Sequence, residues 1–400
     1  MMAALTAAQN GAAVTLFERS GRLGRKLRIT GKGRCNVTND CDTNEFLNNV
    51  MTNPRFLYTA LDRFSTADTK DFFESCGVPL KTERGRRVFP VSDRAADIVA
   101  ALSDACRAAG VAVVYERVKS LTVEDGTLVG VTTSAGEHRA DAVIVCTGGK
   151  SYPLTGSDGD GYRLAEAAGH SVTALSPSLV PITTEGDLCP SLQGLSLKNV
   201  KLTVVRTDNG KAVFEDFGEM MFTHFGLTGP MVLSASAHIP DITKGKYEAL
   251  IDLKPALDDK TLDARILSDF EKYKNKDFAN ALGDLLPQKM IPVIIRLSGI
   301  DPHTKVNTVT REQRRALVSL LKGLRVSLKG FRPIEEAIVT RGGVSVKEID
   351  PSTMESKLVS GLYFAGEVID VDAHTGGYNL QIAWATGALA GTCAAEEPFC

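Results

Sequence analysis

The chain has 400 residues, of which 43% are hydrophobic and 24% charged, and its formal net charge at pH 7 is −2. This near-neutral charge gives no reason to expect nucleic acid or a membrane as a partner, and no apolar run reaches the ~18 residues that cross a bilayer. The eight cysteines include no C-x-x-C pair and the six histidines no H-x₃-H pair. We therefore expect reduced thiols, no metal site and a cytoplasmic location.

The first predicted elements are a helix over residues 1–9, closed by Gly11, and a strand over residues 12–17 that ends in Glu18. This order is the second half of a βαβ unit, without the strand and glycine turn that begin one. An acidic residue at the end of the second strand of a dinucleotide-binding unit accepts hydrogen bonds from a ribose diol. The alternative is an ordinary charged residue at a strand end.

A basic segment punctuated by glycines follows at residues 21–36. Glycines let backbone N–H groups approach an anion closely, and cations neutralise it. We favour a loop that contacts a pyrophosphate, while a solvated surface loop and a small nucleic-acid patch remain alternatives. The cations are Arg22, Arg25, Lys26, Arg28, Lys32 and Arg34, and the glycines are Gly21, Gly24, Gly31 and Gly33.

The middle of the first domain is predicted to be helical over residues 45–75 and again over a helix that Ser92 or Asp93 caps and Gly110 closes. Short strands follow, and the last of them, residues 142–146, is apolar throughout, as expected of a strand buried on both faces. It ends in Thr147, Gly148 and Gly149. These glycines allow a tight turn under a flat cofactor, although any α/β crossover can use them.

The second half of the sequence changes character three times. Residues 178–255 are mostly β, with a hairpin at Asp208-Asn209-Gly210. Residues 257–325 are predicted to be helical, including 278–286, and strands return after residue 326. The predicted organisation is an α/β domain (1–177 and 339–400), split by a β-rich insertion (178–256 and 326–338), which a helical insertion (257–325) splits in turn.

The C-terminal stretch carries the most information. Gly376 and Gly377 open a helix whose first N–H groups lack intrahelical partners, so its N-terminus stabilises an anion by ~0.3–2 kcal/mol. Reduced flavin carries negative charge at N1 and the C2 carbonyl, so this helix would favour reduced flavin. The alternative is an ordinary packed terminal helix. Its small residues, which are predicted to pack on a sheet, are Ala383, Gly387, Ala388 and Gly391.

No residue stands out as a general acid or base. His374 and Tyr378 flank the Thr-Gly-Gly turn, and His224 lies in the inserted segment. Each is a candidate, and a structural role is the alternative for each, because a lone histidine is more often structural than catalytic.

With these segments assembled, the chain resembles the bacterial FAD-dependent oxidoreductases of the aminoacetone-oxidase and dehydro-bile-acid-reductase types. The resemblance implies an α/β fold in which the two ends of the chain form a glutathione-reductase-type, Rossmann-like FAD-binding domain. A β-barrel-like domain and a small helical domain are inserted into it. The matching stretches, in order from residue 1 to about 391, are LGRKLRITGKGRCNVTN, RVFPVSDRAADIV, VIVCTGGKSYPLTGSDGDGY, MMFTHFGLTGP, TRGGVSVKEID and GLYFAGEVIDVDAHTGGYNLQIAWATG.

The resemblance also implies roles for individual residues. Glu18 would hold the adenosine ribose, and Val118 would touch adenine through its backbone. The phosphates and flavin would be lined by Lys26, Thr30, Gly31, Arg34, Cys35 and Asn36. The ribityl chain and ring would be surrounded by Gly148, Gly149, Gly366, Glu367, Gly377, Asn379 and Leu380.

The family pattern begins with a strand and G-G-G-x-A-G directly before a segment like residues 1–5. This opening, the first strand of the Rossmann-like domain, is missing here, and we favour a start codon assigned internally over a true deletion. Because the loop and helix terminus that cradle a pyrophosphate would be incomplete, the chain as given is predicted to bind FAD poorly.

The implied reaction is hydride transfer at flavin N5 with a small organic substrate. NAD(P)H, as a transient electron donor, or oxygen would serve as the redox partner. No second G-x-G-x-x-G and no redox-active C-x₄-C is present, which disfavours a separate nicotinamide domain and disulfide reduction. Two alternatives stay open: a flavin-dependent RNA-modifying protein, which the basic loop suggests, and a flavin-free structural remnant. The sequence assigns neither the substrate nor the oligomeric state.

Overall fold

The computed structural model describes residues 1–239 and 241–396. Cys400 and the last residues of the predicted segment 339–400 lie outside the described residues, as does residue 240 of the segment 178–256. The chain separates into two units. The first, which we call the nucleotide unit, is Met1–Ser178 with Pro333–Cys400, and the second, the barrel unit, is Leu179–Arg332.

The helices are α1 (Met2–Gln9), α2 (Arg25–Ile29), α3 (Thr43–Asn48), α4 (Tyr58–Arg63), α5 (Thr66–Ser75), α6 (Ala95–Ala108), α7 (Asp160–Ala167), α8 (Leu188–Ser191), α9 (Pro230–Ala237), α10 (Asp259–Lys272), α11 (Ile291–Ser298), α12 (Arg311–Lys322) and α13 (Tyr378–Ala395). The strands are β1 (Thr15–Phe17), β2 (Thr38–Asn39), β3 (Leu80–Glu83), β4 (Arg87–Pro90), β5 (Ala112–Val114), β6 (Ser120–Glu124), β7 (Thr127–Thr132), β8 (Glu137–Arg139), β9 (Val143–Val145), β10 (Ser176–Ser178), β11 (Ile182–Thr184), β12 (Ser196–Arg206), β13 (Ala212–Phe222), β14 (Gly226–Thr228), β15 (Tyr247–Asp252), β16 (Leu324–Phe331), β17 (Val339–Arg341) and β18 (Leu362–Phe364).

Two parallel strand pairs form the centre of the nucleotide unit. β1 pairs with β5, so that Phe17 lies opposite Val114, and β9 pairs with β18, so that Val143 lies opposite Leu362. Within the described part of the chain, each pair is a sheet of two strands. The unit also contains antiparallel sheets of β2–β4–β3, β6–β7–β8 and β10–β17, and with its helices it is mixed α/β.

The expectation that residues 142–146 are buried on both faces is wrong. Val143 and Ile144 are half-buried, and Cys146 is exposed. The reason is pairing: among residues 1–239 and 241–396, β9 has β18 as a neighbour on one side and no ladder on the other. An apolar strand with an open edge therefore keeps part of its side-chain surface in solvent.

The small-residue face of α13 packs on a helix, contrary to the predicted packing on a sheet. A Cβ at Gly391 would lie 2.4 Å from the carbonyl oxygen of Ala3, and one at Gly387 would lie 3.4 Å from the Ala3 nitrogen. α1 thus crosses α13 at backbone-to-backbone distance. The N-terminal helix and the C-terminal helix are joined in one layer, which brings the two ends of the chain together.

The start of α6 also differs from expectation. Arg94 is the N-cap residue and offers no side-chain cap, while Ser92 Oγ donates to Asp97 Oδ2 at 2.6 Å instead. Asp93 has a left-handed φ of 56° and pairs with Arg34. The polar residues before the helix are therefore engaged elsewhere, so neither caps it.

The barrel unit is a closed six-stranded barrel in the order β11–β14–β13–β12–β15–β16. The predicted Asp-Asn-Gly hairpin is confirmed, because β12 and β13 pair antiparallel on either side of it. The helices share the hydrophobic core of the barrel: Leu262 of α10 and Leu317 of α12 belong to the same cluster as Val204 and Ile251 of the strands.

The predicted helix at 278–286 is a short 3₁₀ turn, Phe278–Asn280. Its backbone is used for tertiary pairing: Phe278 N donates to Thr304 O at 2.8 Å, and Ala279 N donates to Pro302 O at 3.1 Å. These bonds replace the intrahelical ones. As for membranes, no helix within the described ranges has both the length and the apolar surface needed to cross one.

Candidate functional site

Several predicted site residues follow the carboxyl ends of strands in the two parallel pairs of the nucleotide unit. Glu18 follows β1, Thr147–Gly149 follow β9, and Gly366 and Glu367 follow β18. Ligands of open α/β sheets bind beyond the carboxyl ends of the strands. The ion pair between Lys26 and Glu367 shows that segments from both ends of the chain contribute residues to the same site.

Glu18 is held in place by its neighbours. Its backbone N donates to Val114 O at 2.9 Å, and its Oε1 accepts from Ser20 N at 2.7 Å and from Ser20 Oγ at 2.6 Å. Both side-chain bonds fall on Oε1, so Oε2 retains its capacity to accept a hydrogen bond. Val118, predicted to contact adenine, lies half-buried in the segment between β5 and β6.

A cationic cavity of about 260 Å³ lies next to Glu18 and includes Arg25, one of the predicted residues. Arg19 and Arg117 are both paired with Asp158, and Arg117 also pairs with Asp160 at 2.6 Å. These aspartates fix two of the guanidinium groups around the cavity. The lining residues are Arg19, Ser20, Arg25, Arg117, Leu154 and Gly156.

The glycine-rich loop has an unusual backbone. Gly31 and Gly33 have φ values of 56° and 85°, and Lys32 and Cys35, which carry side chains, have φ values of 59°. A non-glycine residue in this region is strained, and such strain persists where the surrounding structure holds it. Cys35 N closes the turn by donating to Thr30 O at 3.0 Å.

Cys35 is fully buried beneath this turn. Burial raises the pKa of its thiol to about 12, so the thiol stays protonated at neutral pH. A protonated thiol is a poor nucleophile, and Cys35 therefore contributes shape to the loop rather than thiolate chemistry.

Lys26 and Glu367 form an ion pair at the centre of the site, with Lys26 Nζ 2.6 Å from Glu367 Oε2. Lys26 Nζ also donates to Ser151 Oγ at 2.7 Å. Glu367 Oε1 accepts from Thr340 N at 2.9 Å and lies 3.2 Å from Ser151 Oγ. Sequence reasoning missed Ser151 and Thr340, because only the fold brings them beside Glu367. The available signals were that Ser151 lies two residues after Gly149 and that both residues lie in stretches that match the family.

The Thr-Gly-Gly turn at the start of α13 lies against strand β2. A Cβ at Gly377 would lie 2.3 Å from Thr38 O, and Asn39 Nδ2 donates to Gly376 O at 3.0 Å. Asn379, another predicted residue, uses its amide to hold the preceding turn, with bonds of 3.0 and 2.8 Å to the backbone of Ala373. Leu380 packs, partly buried, on a core cluster of this unit.

Arg34 is engaged by protein carboxylates. Its guanidinium pairs with Glu83 and with Asp93 at 2.6 Å, and it stacks over the Phe89 ring at 4.1 Å. The structure therefore places Arg34 in an ion-pair network with the end of β3 and the segment before α6. That Arg34 lines the phosphates stays a prediction.

The candidate acids and bases are dispersed. Tyr378 is buried against Phe46, with ring centroids 5.2 Å apart, and burial raises the pKa of its phenol to about 12. His374 N donates to Asn49 O at 3.0 Å. His224 is exposed in the barrel unit, beside Phe225. Their catalytic roles remain predictions, and no group of three metal-ligating side chains occurs in the part of the chain that the structure describes.

The residues present fit a large polar ligand such as a dinucleotide. Arg28 Nε and Asn36 Oδ1 are buried yet have no hydrogen-bond partner among the described residues, and such atoms require one. Gly149 packs against the residues around Glu367: a Cβ there would lie 2.5 Å from Thr340 Oγ1 and 2.8 Å from Glu367 Oε1. Only glycine lets these two side chains approach the backbone so closely.

Comparison with known families gives a match over residues 1–393 to the HI0933-like protein Rossmann domain. The chain belongs to the HI0933-like family. This membership confirms the resemblance inferred from the motifs, and the fold is a Rossmann-type FAD-binding domain with a six-stranded barrel. Members of this family with assigned activities include oxidoreductases, as the relatives below illustrate.

Two curated relatives of this HI0933-like protein have names that describe different substrates. A 3-dehydro-bile acid delta(4,6)-reductase of Clostridium scindens is 32% identical, over 100% of this chain and 97% of the relative. A ribosomal RNA dihydrouridine synthase of Escherichia coli is 31% identical, over 96% of this chain and 93% of the relative.

Solved structures of flavoproteins share the fold of this family member. The open conformation of a flavocytochrome c3 fumarate reductase has a TM-score of 0.52 at 17% identity, over 98% of this chain and 76% of that one. A 3-ketosteroid-delta4-(5alpha)-dehydrogenase of Rhodococcus jostii RHA1 has a TM-score of 0.52 at 15% identity, over 99% and 94%. At these identities the likeness concerns the fold.

Proposed function

We propose that this protein is an FAD-dependent reductase that adds hydride to a carbon–carbon double bond conjugated with a carbonyl group. The observation that carries the proposal is the end-to-end match with a delta(4,6)-reductase of a 3-dehydro, that is 3-oxo, bile acid. A uracil ring also carries its reducible double bond next to a carbonyl. The two differently named relatives thus share one kind of chemistry.

The cofactor would lie along the region between Glu18, the loop 25–36 and the turns at Gly148–Gly149 and Gly376–Gly377, which we call the groove of the nucleotide unit. Glu18 would accept hydrogen bonds from the adenosine ribose through Oε2. The loop 25–36 would lie along the pyrophosphate, and Arg28 would donate to it through the unpartnered Nε. Asn36 Oδ1, an acceptor, would take a hydrogen bond from a hydroxyl or N–H group of the cofactor. The Gly148–Gly149 and Gly376–Gly377 turns would leave room for the ribityl chain and ring. When bound, FAD supplies the two-electron chemistry.

We further propose that the N-terminus of α13 and Lys26 favour negative charge on the cofactor. α13 has 18 residues, and the first N–H groups of such a helix stabilise an anion. NAD(P)H, entering transiently, is the proposed electron donor, because the described residues provide one dinucleotide fold and no second one.

The test is an anaerobic reduction of the FAD-loaded protein by NADH and by NADPH, followed by mixing with acceptors. Candidate acceptors are a 3-oxo-4,6-dienoic bile acid, a simple cyclic enone and an amino ketone. We expect reoxidation of the flavin by the conjugated acceptors, with a product that has gained H₂. Reoxidation by the amino ketone or oxygen alone would contradict the proposal.

A second candidate is reduction of uridine in RNA, and two observations favour it. Ribosomal RNA dihydrouridine synthases of Escherichia coli and Haemophilus influenzae match at 31% and 30% identity. The barrel unit, residues 179–332, carries 22 lysine and arginine residues against 18 aspartate and glutamate residues, although the whole chain is slightly negative. An RNA acceptor in the same assay, with dihydrouridine measured by nuclease digestion and mass spectrometry, separates the two candidates.

We also propose that the chain of 400 residues binds FAD weakly. The support is the pair of two-stranded parallel sheets, β1–β5 and β9–β18, which no strand among the described residues joins. A chain extended by a strand and a G-G-G-x-A-G turn is expected to purify yellow, while the 400-residue chain purifies nearly colourless. Stoichiometric FAD in the 400-residue chain would refute this proposal. If FAD loads neither chain, the flavin-free structural role becomes the favoured alternative.

A further inference from the structure

Four distant segments of the chain meet at one carboxylate. Glu367, in the turn after β18, is contacted by Lys26 of α2, Ser151 of the loop after β9 and the backbone of Thr340 in β17. The Lys26 and Glu367 side chains are only 23% and 19% exposed. Because the two side chains are mostly buried, solvent screens their charges weakly, and removal of one charge leaves the other without compensation.

The charge balance of this cluster bears on the cofactor. Glu367 packs on Gly149, one of the residues expected beside the cofactor, because a Cβ there would come within 2.8 Å of Glu367 Oε1. FAD is an anion at its pyrophosphate, and a bare carboxylate in the groove would repel it. Lys26 Nζ donates one hydrogen bond to Glu367 and one to Ser151. Its positive charge therefore lies directly beside the carboxylate.

We propose that Lys26 is a charge-compensating residue that acts on the cofactor through Glu367. It neutralises the carboxylate, and the groove can then accept an anionic dinucleotide. Ser151 is a positioning residue, since its hydroxyl lies within hydrogen-bond distance of both charged groups. This inference rests on the proposed FAD site, and it assigns Lys26 an indirect role rather than a direct contact with phosphate.

The experiment is a double-mutant cycle in the full chain, with Lys26→Met, Glu367→Gln and the two combined. FAD affinity is measured by quenching of flavin fluorescence. Lys26→Met alone is expected to weaken FAD binding by at least ~30-fold, the size expected when one partner of a covered charge pair is removed. In the Glu367→Gln background, Lys26→Met should weaken FAD binding by no more than ~3-fold, because no carboxylate is left unpaired.

Two further variants serve as controls for the double-mutant cycle. Lys26→Arg keeps the charge and should retain most of the affinity. Lys150→Met removes a neighbouring exposed lysine whose side chain lies beside Gly159 and should leave affinity within ~2-fold. An equal loss for Lys26→Met in both backgrounds would overturn the inference, because Lys26 would then contact the ligand itself. No loss in either background would overturn it as well.

Thermal unfolding of the apo-protein gives a second readout that needs no cofactor. Lys26→Met should lower Tm, and adding Glu367→Gln should restore it in part. If FAD binds neither the 400-residue chain nor the chain extended by a strand and a G-G-G-x-A-G turn, the proposed function fails, and the role of Lys26 toward FAD fails with it. If FAD binds but the effects of Lys26→Met and Glu367→Gln on affinity and on Tm are additive, charge compensation is refuted and the proposed FAD site is not.

Discussion

At the scale of residues, a local pattern predicts where a candidate group lies in the fold, while its contact with a cofactor stays a prediction. Glu18 follows directly from the end of a strand, and Gly31 and Gly33 follow from a loop that needs left-handed backbone. Ser151 and Thr340 could not be predicted, because the contacts of Glu367 with them depend on segments far apart in the chain. Long-range side-chain partners are set by the fold and leave no local signature.

His170 is a buried residue of the nucleotide unit whose contacts predict a dependence of stability on pH. Its Nε2 lies 2.8 Å from Ser356 Oγ and its Nδ1 lies 3.4 Å from Glu348. Burial lowers its pKa, although Glu348 acts in the opposite direction. The folded protein therefore holds this histidine neutral, whereas an unfolded histidine titrates near pH ~6.5.

The consequence is a loss of stability in acid. As the pH falls below about 6.5, the unfolded chain takes up a proton at this position more readily than the folded one, with a slope of up to about 1.4 kcal/mol per pH unit. We expect Tm to fall between pH 7 and 5, and less steeply in His170→Gln. The exposed His303 is the control, since His303→Gln should keep the wild-type slope. Equal slopes in all three proteins would contradict this account.

At the scale of elements, the type of element was easier to predict than its ends and partners. The hairpin between β12 and β13 and the helix after Gly377 formed as predicted, because turn glycines define them locally. The segment 278–286 did not form a helix, since its backbone pairs with residues 302–304. Tertiary hydrogen bonds overrode its helical pattern.

The crossing of α1 and α13 gives a prediction with an internal control. Gly391→Ala places a Cβ 2.4 Å from Ala3 O, so the helices must separate, and we expect a loss of about 1–3 kcal/mol. Gly387→Ala, four residues earlier, meets its nearest atom at 3.4 Å. It should be neutral or stabilising by up to about 1 kcal/mol through helix propensity. Chemical denaturation monitored by circular dichroism compares them; a larger loss for Gly387→Ala would contradict the crossing.

At the scale of the whole molecule, the motifs predicted the α/β nucleotide fold and the family to which the chain belongs. The barrel character of the insertion came from the resemblance, because short strands do not reveal in the sequence whether a sheet closes. The shared core of the barrel and its helices also could not be predicted, since amphipathic helices such as α12 do not specify the surface that covers them.

The central claim is that both ends of the chain build one groove for FAD. Hydrogen–deuterium exchange of the full chain, with and without saturating FAD, tests it in one measurement. We expect FAD to slow exchange in residues 18–36 and in residues 366–380 together, and to leave residues 196–222 unchanged. Protection confined to only one of the two ends, or found only within residues 179–332, would contradict the claim.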